Sequence, residues 1–163
     1  MKKGNASVTN PIDMIEEAVI SEEWPYHRVN SEELIAEVDG RWCDYRIQFN
    51  WQADARILQL CCIMDMRVQP SQMTPVYELL ALINQRLALG HFEIDPDESV
   101  PLLRYALLLT GDRSPRVESL EELVEIAVGE SERFYPAFQF VIWGGKTPKE
   151  AASFAMLDTV GEA

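Results

Sequence analysis

The spacing of apolar residues changes period several times along the chain, and each change marks an element. Behind Pro11, Ile12, Ile15, Val19 and Ile20 recur at helical spacing, while Glu16, Glu17, Glu22 and Glu23 take other positions. This predicts an amphipathic helix ending near Trp24-Pro25, since the residue before a proline is driven out of the helical region. Tyr26 to Val29 reads as a short extended piece. From Leu34 the period drops to two: Leu34, Ala36 and Val38 alternate with Ile35, Glu37 and Asp39, and Asp39-Gly40 offers the positive φ angles of a tight hairpin turn. The next strand is the clearest. Cys43, Tyr45, Ile47, Phe49 and Trp51 point one way, and Asp44, Arg46, Gln48 and Asn50 the other. Gln52 to Ala55 turns the chain, and Ile57 to Met64 returns as a third antiparallel strand.

Thr74-Pro75 is a good helix start, because threonine can cap the first free amides and proline at the first helical position loses no needed donor. Val76, Leu79, Leu80, Ile83 and Leu87 then form one apolar stripe, and Gly90 suits the left-handed cap of a helix C-terminus. Phe92 and Ile94 face inward from the following strand. Asp95-Pro96-Asp97-Glu98 turns it, and Leu102 to Leu109 returns apolar on nearly both faces, the pattern of a strand covered on both sides. Gly111 to Pro115 breaks the pattern. Ser119 with Glu122 forms a capping box opening a helix whose Leu120, Leu123, Val124, Ala127, Phe134 and Phe138 share a side, and Pro136 is expected to kink or divide it. After Gly144-Gly145, Thr147-Pro148-Lys149-Glu150 is a second capping box, starting a last helix to about Asp158.

The sum is an α+β domain: an antiparallel sheet of about five strands packed by helices, in the order α-βββ-α-ββ-αα. At 163 residues one domain accommodates the whole chain (1–163), with 1–10 as a flexible leader and 11–158 as the folded part; such a length buries roughly 70% of the surface its unfolded form exposes.

Charge narrows the function. The 27 acidic against 14 basic residues leave a net charge of −13, which would repel a phosphate backbone, so no nucleic acid is expected as a partner. The same field keeps a protein soluble and attracts basic segments. The opening Met1 to Ala6 carries two lysines but no apolar run behind them, unlike a signal peptide. No stretch has the apolar length of a membrane span. Cys43, Cys61 and Cys62 are an odd set without CxxC spacing, which fits a reducing cytoplasm.

No chemical motif survives a residue-by-residue test. Gly144-Gly145-Lys146-Thr147 resembles the end of a phosphate-binding loop, but Phe140 stands where its first glycine belongs. Asp95, Asp97 and Ser99 mimic the opening of a calcium loop whose sixth position is Val100 and whose twelfth is Ala106. His91, Glu93 and Asp95 share a strand face, without a second histidine or cysteine beside them. Cys61 and Cys62 sit in an apolar strand, where thiols are inert fillers, and Ser114 lies between Arg113 and Pro115 outside any nucleophile frame. The expectation is no catalytic residue, no metal and no cofactor. One feature stands out. Phe138, Phe140, Val141, Ile142 and Trp143 leave only Gln139 as a polar position at the end of the long helix. Either this turn is wholly buried or it meets another chain, so Phe138, Phe140, Ile142 and Trp143 are the candidate protein-interaction residues, with a homodimer as one form of that contact.

The element order, together with Asn84, Leu87, Gly90, Phe92 and Ile94, the answering Leu103-Arg104-Tyr105 and the helix-opening Glu121-Glu122, resembles the YbjN family of bacterial sensory transduction regulators from about Pro11 to Asp158. These are folding residues, so no catalytic residue comes with the likeness. The resemblance implies a fold similar to the small α+β chaperones of type III secretion, which bind protein segments and commonly dimerise. The function expected is a non-enzymatic cytoplasmic regulator or chaperone-like adaptor that takes protein partners with basic or apolar segments. The alternative is a small-molecule sensor or enzyme with a pocket between sheet and helices.

Overall fold

Asn10 and Pro11 start the first helix, α1 (Pro11–Ser21). The Asn10 side-chain oxygen accepts the Ile12 amide hydrogen at 2.9 Å, while its nitrogen donates to the Ser31 carbonyl at 2.6 Å. Past its end Glu23 is left-handed (φ 57°), and the amides of Glu23 and Trp24 bond back to the carbonyls of Ile20 and Val19. This closure usually employs glycine; here a glutamate holds it. Ile12, Ile15 and Val19 are buried as the spacing predicts, whereas Ile20 is exposed. The computed structural model describes residues 10–111 and 115–157. The flexibility expected of the leader, the setting of Ser114 and the end of the last helix at Asp158 fall outside them.

Six strands follow: β1 (Tyr26–Arg28), β2 (Glu33–Asp39), β3 (Asp44–Gln52), β4 (Ile57–Ile63), β5 (His91–Ile94) and β6 (Pro101–Leu108). They pair antiparallel throughout in the order β1-β2-β3-β4-β6-β5. The fold is α+β with one strand more than about five, because the short extended piece at Tyr26 pairs with β2, Tyr26 opposite Ala36. Three further helices, α2 (Met73–Asn84), α3 (Val117–Ile142) and α4 (Pro148–Leu157), complete it. One sheet face supplies Leu34, Ala36, Tyr45, Ile47, Phe49, Leu58, Leu60, Cys62, Phe92 and Leu103 to a single core shared with buried residues of all four helices. The opposite face joins no helix core; Cys61, Ile63 and Leu102 make a small separate cluster there.

Several expectations change in detail. Asp39-Gly40 is not a two-residue turn: Asp39 pairs with Asp44, and a four-residue connection of residues 40–43 closes with the Gly40 amide on the Cys43 carbonyl. Gly40 is needed for space, since a Cβ there would lie 2.3 Å from the Tyr45 ring. One turn of 3-10 helix (Pro70–Gln72) leads into α2, which therefore begins before Thr74. Likewise α3 begins at Val117, placing Ser119 inside its first turn, and it passes through Pro136 undivided. Packing decides both starts, because the local cap signal is worth only about 1 kcal/mol. Thr147 does cap α4, its hydroxyl accepting the Glu150 amide at 3.2 Å. β6 is covered on both sides only over Pro101, Leu102 and Leu103; Leu108 is exposed.

Gly90 is left-handed (φ 69°) as expected, but α2 stops at Asn84, so this glycine serves the entry to β5 instead. The joint between α2 and β5 is made by Asn84. Its side-chain nitrogen donates to the Phe92 carbonyl at 3.0 Å and its oxygen accepts the Phe92 amide at 2.6 Å. Asn84→Ala would orphan both backbone groups and should cost about 1–3 kcal/mol, read as a lowered urea midpoint with unchanged slope. Asn84→Asp should recover the bond from the amide alone.

Candidate interaction site

The apolar end of α3 is divided between core and surface. Phe138 is fully buried, its ring edge-to-face with Phe92 at a centroid distance of 5.6 Å; Ile142 and Val141 are buried as well. The Ile142 carbonyl accepts a hydrogen bond from the Gln72 side chain, which ties this end to the chain before α2. Phe140 is half-buried and meets Phe154 of α4 at 5.1 Å. Trp143 alone of the four candidate residues is exposed, at 61%. Beyond it Gly144 and the left-handed Gly145 end the helix and lead to the Thr147 cap, which accounts for the whole phosphate-loop likeness. A chain-external contact here can involve Trp143 with the Phe140–Phe154 pair, not Phe138 or Ile142.

The second surface is the helix-free face of the sheet, which the sequence shows only as a row of wet positions. In register across four strands lie Gln48 of β3, Cys61 of β4, Arg104 of β6 and His91 of β5. Gln48, Asn50, Gln59, Cys61 and Arg104 line a shallow trough of about 220 Å³. Three carboxamides in one trough can both donate and accept, which suits a polypeptide backbone better than a charged ligand. Side chains around it are already paired. Gln48 donates to Glu33 at 2.6 Å, Arg46 pairs with Glu98 at 2.7 Å, and Arg104 reaches Glu93 through two nitrogens at 2.9 and 2.5 Å. The signal that could have exposed this trough is amide residues at alternate positions of adjacent strands, Gln48 and Asn50 facing Cys61 and Gln59.

Glu93 is also bonded by His91 at 2.8 Å, so these two residues form a hydrogen-bonded pair beside an arginine, and Asp95 instead accepts the Asp97 and Glu98 amides of its own turn. No cluster of three or more metal-ligating side chains occurs among the described residues. Burial pushes the Glu93 carboxyl up, but the bonds from Arg104 and His91 outweigh it, and the net shift is downward. A carboxyl held below its unfolded value contributes stability that is present above that value and lost as pH falls through the folded one. Between about pH 6 and about pH 3, Glu93→Gln should therefore lose less stability than the wild type, measured as urea midpoints across that range.

The thiols are quiet. Burial raises Cys61, against the nearby Arg104, and takes Cys62 up to about 12 despite the Ser131 hydroxyl at 3.3 Å. Both stay protonated near neutrality and act as small apolar fillers.

A sequence profile described as "Putative bacterial sensory transduction regulator", that of YbjN, matches residues 11–140. The chain belongs to the YbjN family. The profile spans α1 through most of α3, including Asn84, Gly90, the sheet and its amide trough. Among solved structures, the chain is similar to that of YbjN from E. coli, "a putative transcription regulator", with 14% identity over 74% of this chain and 90% of that one and a TM-score of 0.48. No curated protein matches the chain. The family's description is that of a regulator, not an enzyme. No helix of the described residues is long and apolar enough to cross a membrane.

Proposed function

We propose that this YbjN-family regulator works by binding another protein on the helix-free face of its sheet, as a non-enzymatic, chaperone-like adaptor. The observation that carries this reading is the one-sided covering of a six-stranded sheet. Every helix packs on one face, and the other holds an amide-lined trough bordered by Arg46 and Arg104, each paired with a glutamate. Binding would rest on backbone-directed hydrogen bonds in the trough and apolar contact along its rim, where Ile35, Ile57 and the exposed Leu108 lie. A net charge of −13 favours basic partner segments. A cytoplasmic location fits the free thiols.

The test is capture from bacterial lysate with wild type and with Asn50→Arg/Gln59→Arg, two half-buried positions of the trough where added cations would repel a basic segment. The expected result is one or more proteins retained by the wild type and released by the variant at unchanged melting temperature. Retention of the same proteins by both, or of none by the wild type, rejects the reading.

Self-association is a separate proposal and falls to Trp143 with Phe140. Light scattering should give a dimeric wild type and a monomeric Trp143→Glu; a monomeric wild type ends it.

A further inference from the structure

We infer that the cleft where α2, α3 and α4 meet is a binding site for a small organic anion with an apolar tail, and hence an input distinct from the protein-binding face. The cleft encloses about 310 Å³ and is lined by Leu82, Ile83, Gln85 and Arg86 of α2 and its exit, Phe134 of α3, and Lys149, Ala152, Ser153 and Met156 of α4. That volume is at the lower end of the roughly 300–1,000 Å³ typical of small-molecule pockets. It lies among helices rather than between sheet and helices.

Its walls divide by chemistry. Ile83 and Phe134 are fully buried and form an apolar floor, extended by Leu82 and Ala152. Arg86 and Lys149 are exposed at its rim, and no carboxylate belongs to the lining. In a chain with 27 acidic and 14 basic residues, a cleft bordered by two cations and no acid runs against the overall charge. Arg86 and Lys149 have no ion pair among the described residues, so neither charge is neutralised by a carboxylate, as those of Arg28, Arg46, Arg104 and Arg133 are. Arg41, Arg56, Arg67, Arg116 and Lys146 are unpaired among those residues too, and what sets this pair apart is its place on an apolar cleft. The Ser153 hydroxyl already donates to the Lys149 carbonyl at 2.8 Å, so charge rather than that hydroxyl selects the head group. A guanidinium offers a fork matched to a carboxylate or phosphate, an ammonium adds a second positive point, and the floor takes a short hydrocarbon chain. A carboxylate head and a phosphate head share this chemistry.

Calorimetry with octanoate, octyl phosphate, octanol and inorganic phosphate separates the parts. Octanoate or octyl phosphate should bind saturably, with octanol and inorganic phosphate each about tenfold weaker or silent, as loss of either the ion pairs or the apolar contact requires. Methyl resonances of Ala152 and Met156 should shift most. Arg86→Gln/Lys149→Gln, both at exposed positions, should weaken octanoate about tenfold without moving the melting temperature, and Ala152→Phe should abolish binding by filling the floor. If Ala152→Phe fails to fold, the exposed double variant decides alone. Equal affinity for octanol and octanoate, shifts confined to other residues, unchanged affinity in the double variant, or no saturable binding by either anionic amphiphile overturns the inference.

Discussion

Gly90→Val should cost about 3 kcal/mol or more, a large part of the ~5–15 kcal/mol that holds a domain of this kind together. Two penalties coincide. The backbone sits at φ 69°, where a side chain is strained. An added Cβ would also stand 2.5 Å from the Arg104 carbonyl oxygen and 3.3 Å from its carbon. Those atoms belong to the backbone of β6, which is paired with β4 on one side and β5 on the other, so they cannot withdraw without breaking a ladder. Gly90→Ala meets the same contact and should lose about 2 kcal/mol. The internal control is Gly129, an exposed helical glycine with open space at its Cβ, where alanine should stabilise by about 0.8–1 kcal/mol. Urea unfolding of the three variants checks this, and a loss under about 1 kcal/mol at Gly90→Val would refute the close-approach account.

Phe138→Ala should lose about 3–5 kcal/mol, the cost of emptying a filled aromatic site. Its ring is edge-to-face with Phe92, which meets Phe134 in the same way at 5.5 Å, so the truncation removes one of the two α3 rings that flank Phe92 in a three-ring cluster joining α3 to β5. Trp143→Ala, five residues further on, should change stability by no more than about 0.5 kcal/mol, as exposed positions do. The pair of measurements sorts core from surface within one apolar turn. A small effect at Phe138 would mean that this end of α3 is not packed as described.

The comparison of these two residues shows where sequence reading reaches its end. Their turn of helix is apolar all round, and a turn buried by α4 and the sheet has the same pattern as one buried by a partner. Nothing local distinguishes Phe138 from Trp143. The amide trough is hidden for a related reason. Gln48 and Asn50 read as ordinary wet positions, and they join Gln59 and Arg104 only through the register of β3, β4 and β6. The cleft bordered by Arg86 and Lys149 brings together residues more than sixty positions apart.

What the sequence by itself determined is the class and order of elements. Periods of two and of about 3.6 are imposed by backbone geometry on any half-buried strand or helix, so they are readable without a fold. Hence the meander, the α2 stripe and the one-faced β3 were legible, and so was the left-handed conformation of Gly90. Tertiary structure decided what lies against each element. It made Tyr26–Arg28 a paired strand, moved the starts of α2 and α3 ahead of their capping signals, and gave Gly90 a neighbouring strand instead of a helix end. The physical reason is one of scale. Local signals are worth about 1 kcal/mol each, while burial of a single large apolar side chain is worth about 1.5–3 kcal/mol and depends on partners distant in the chain.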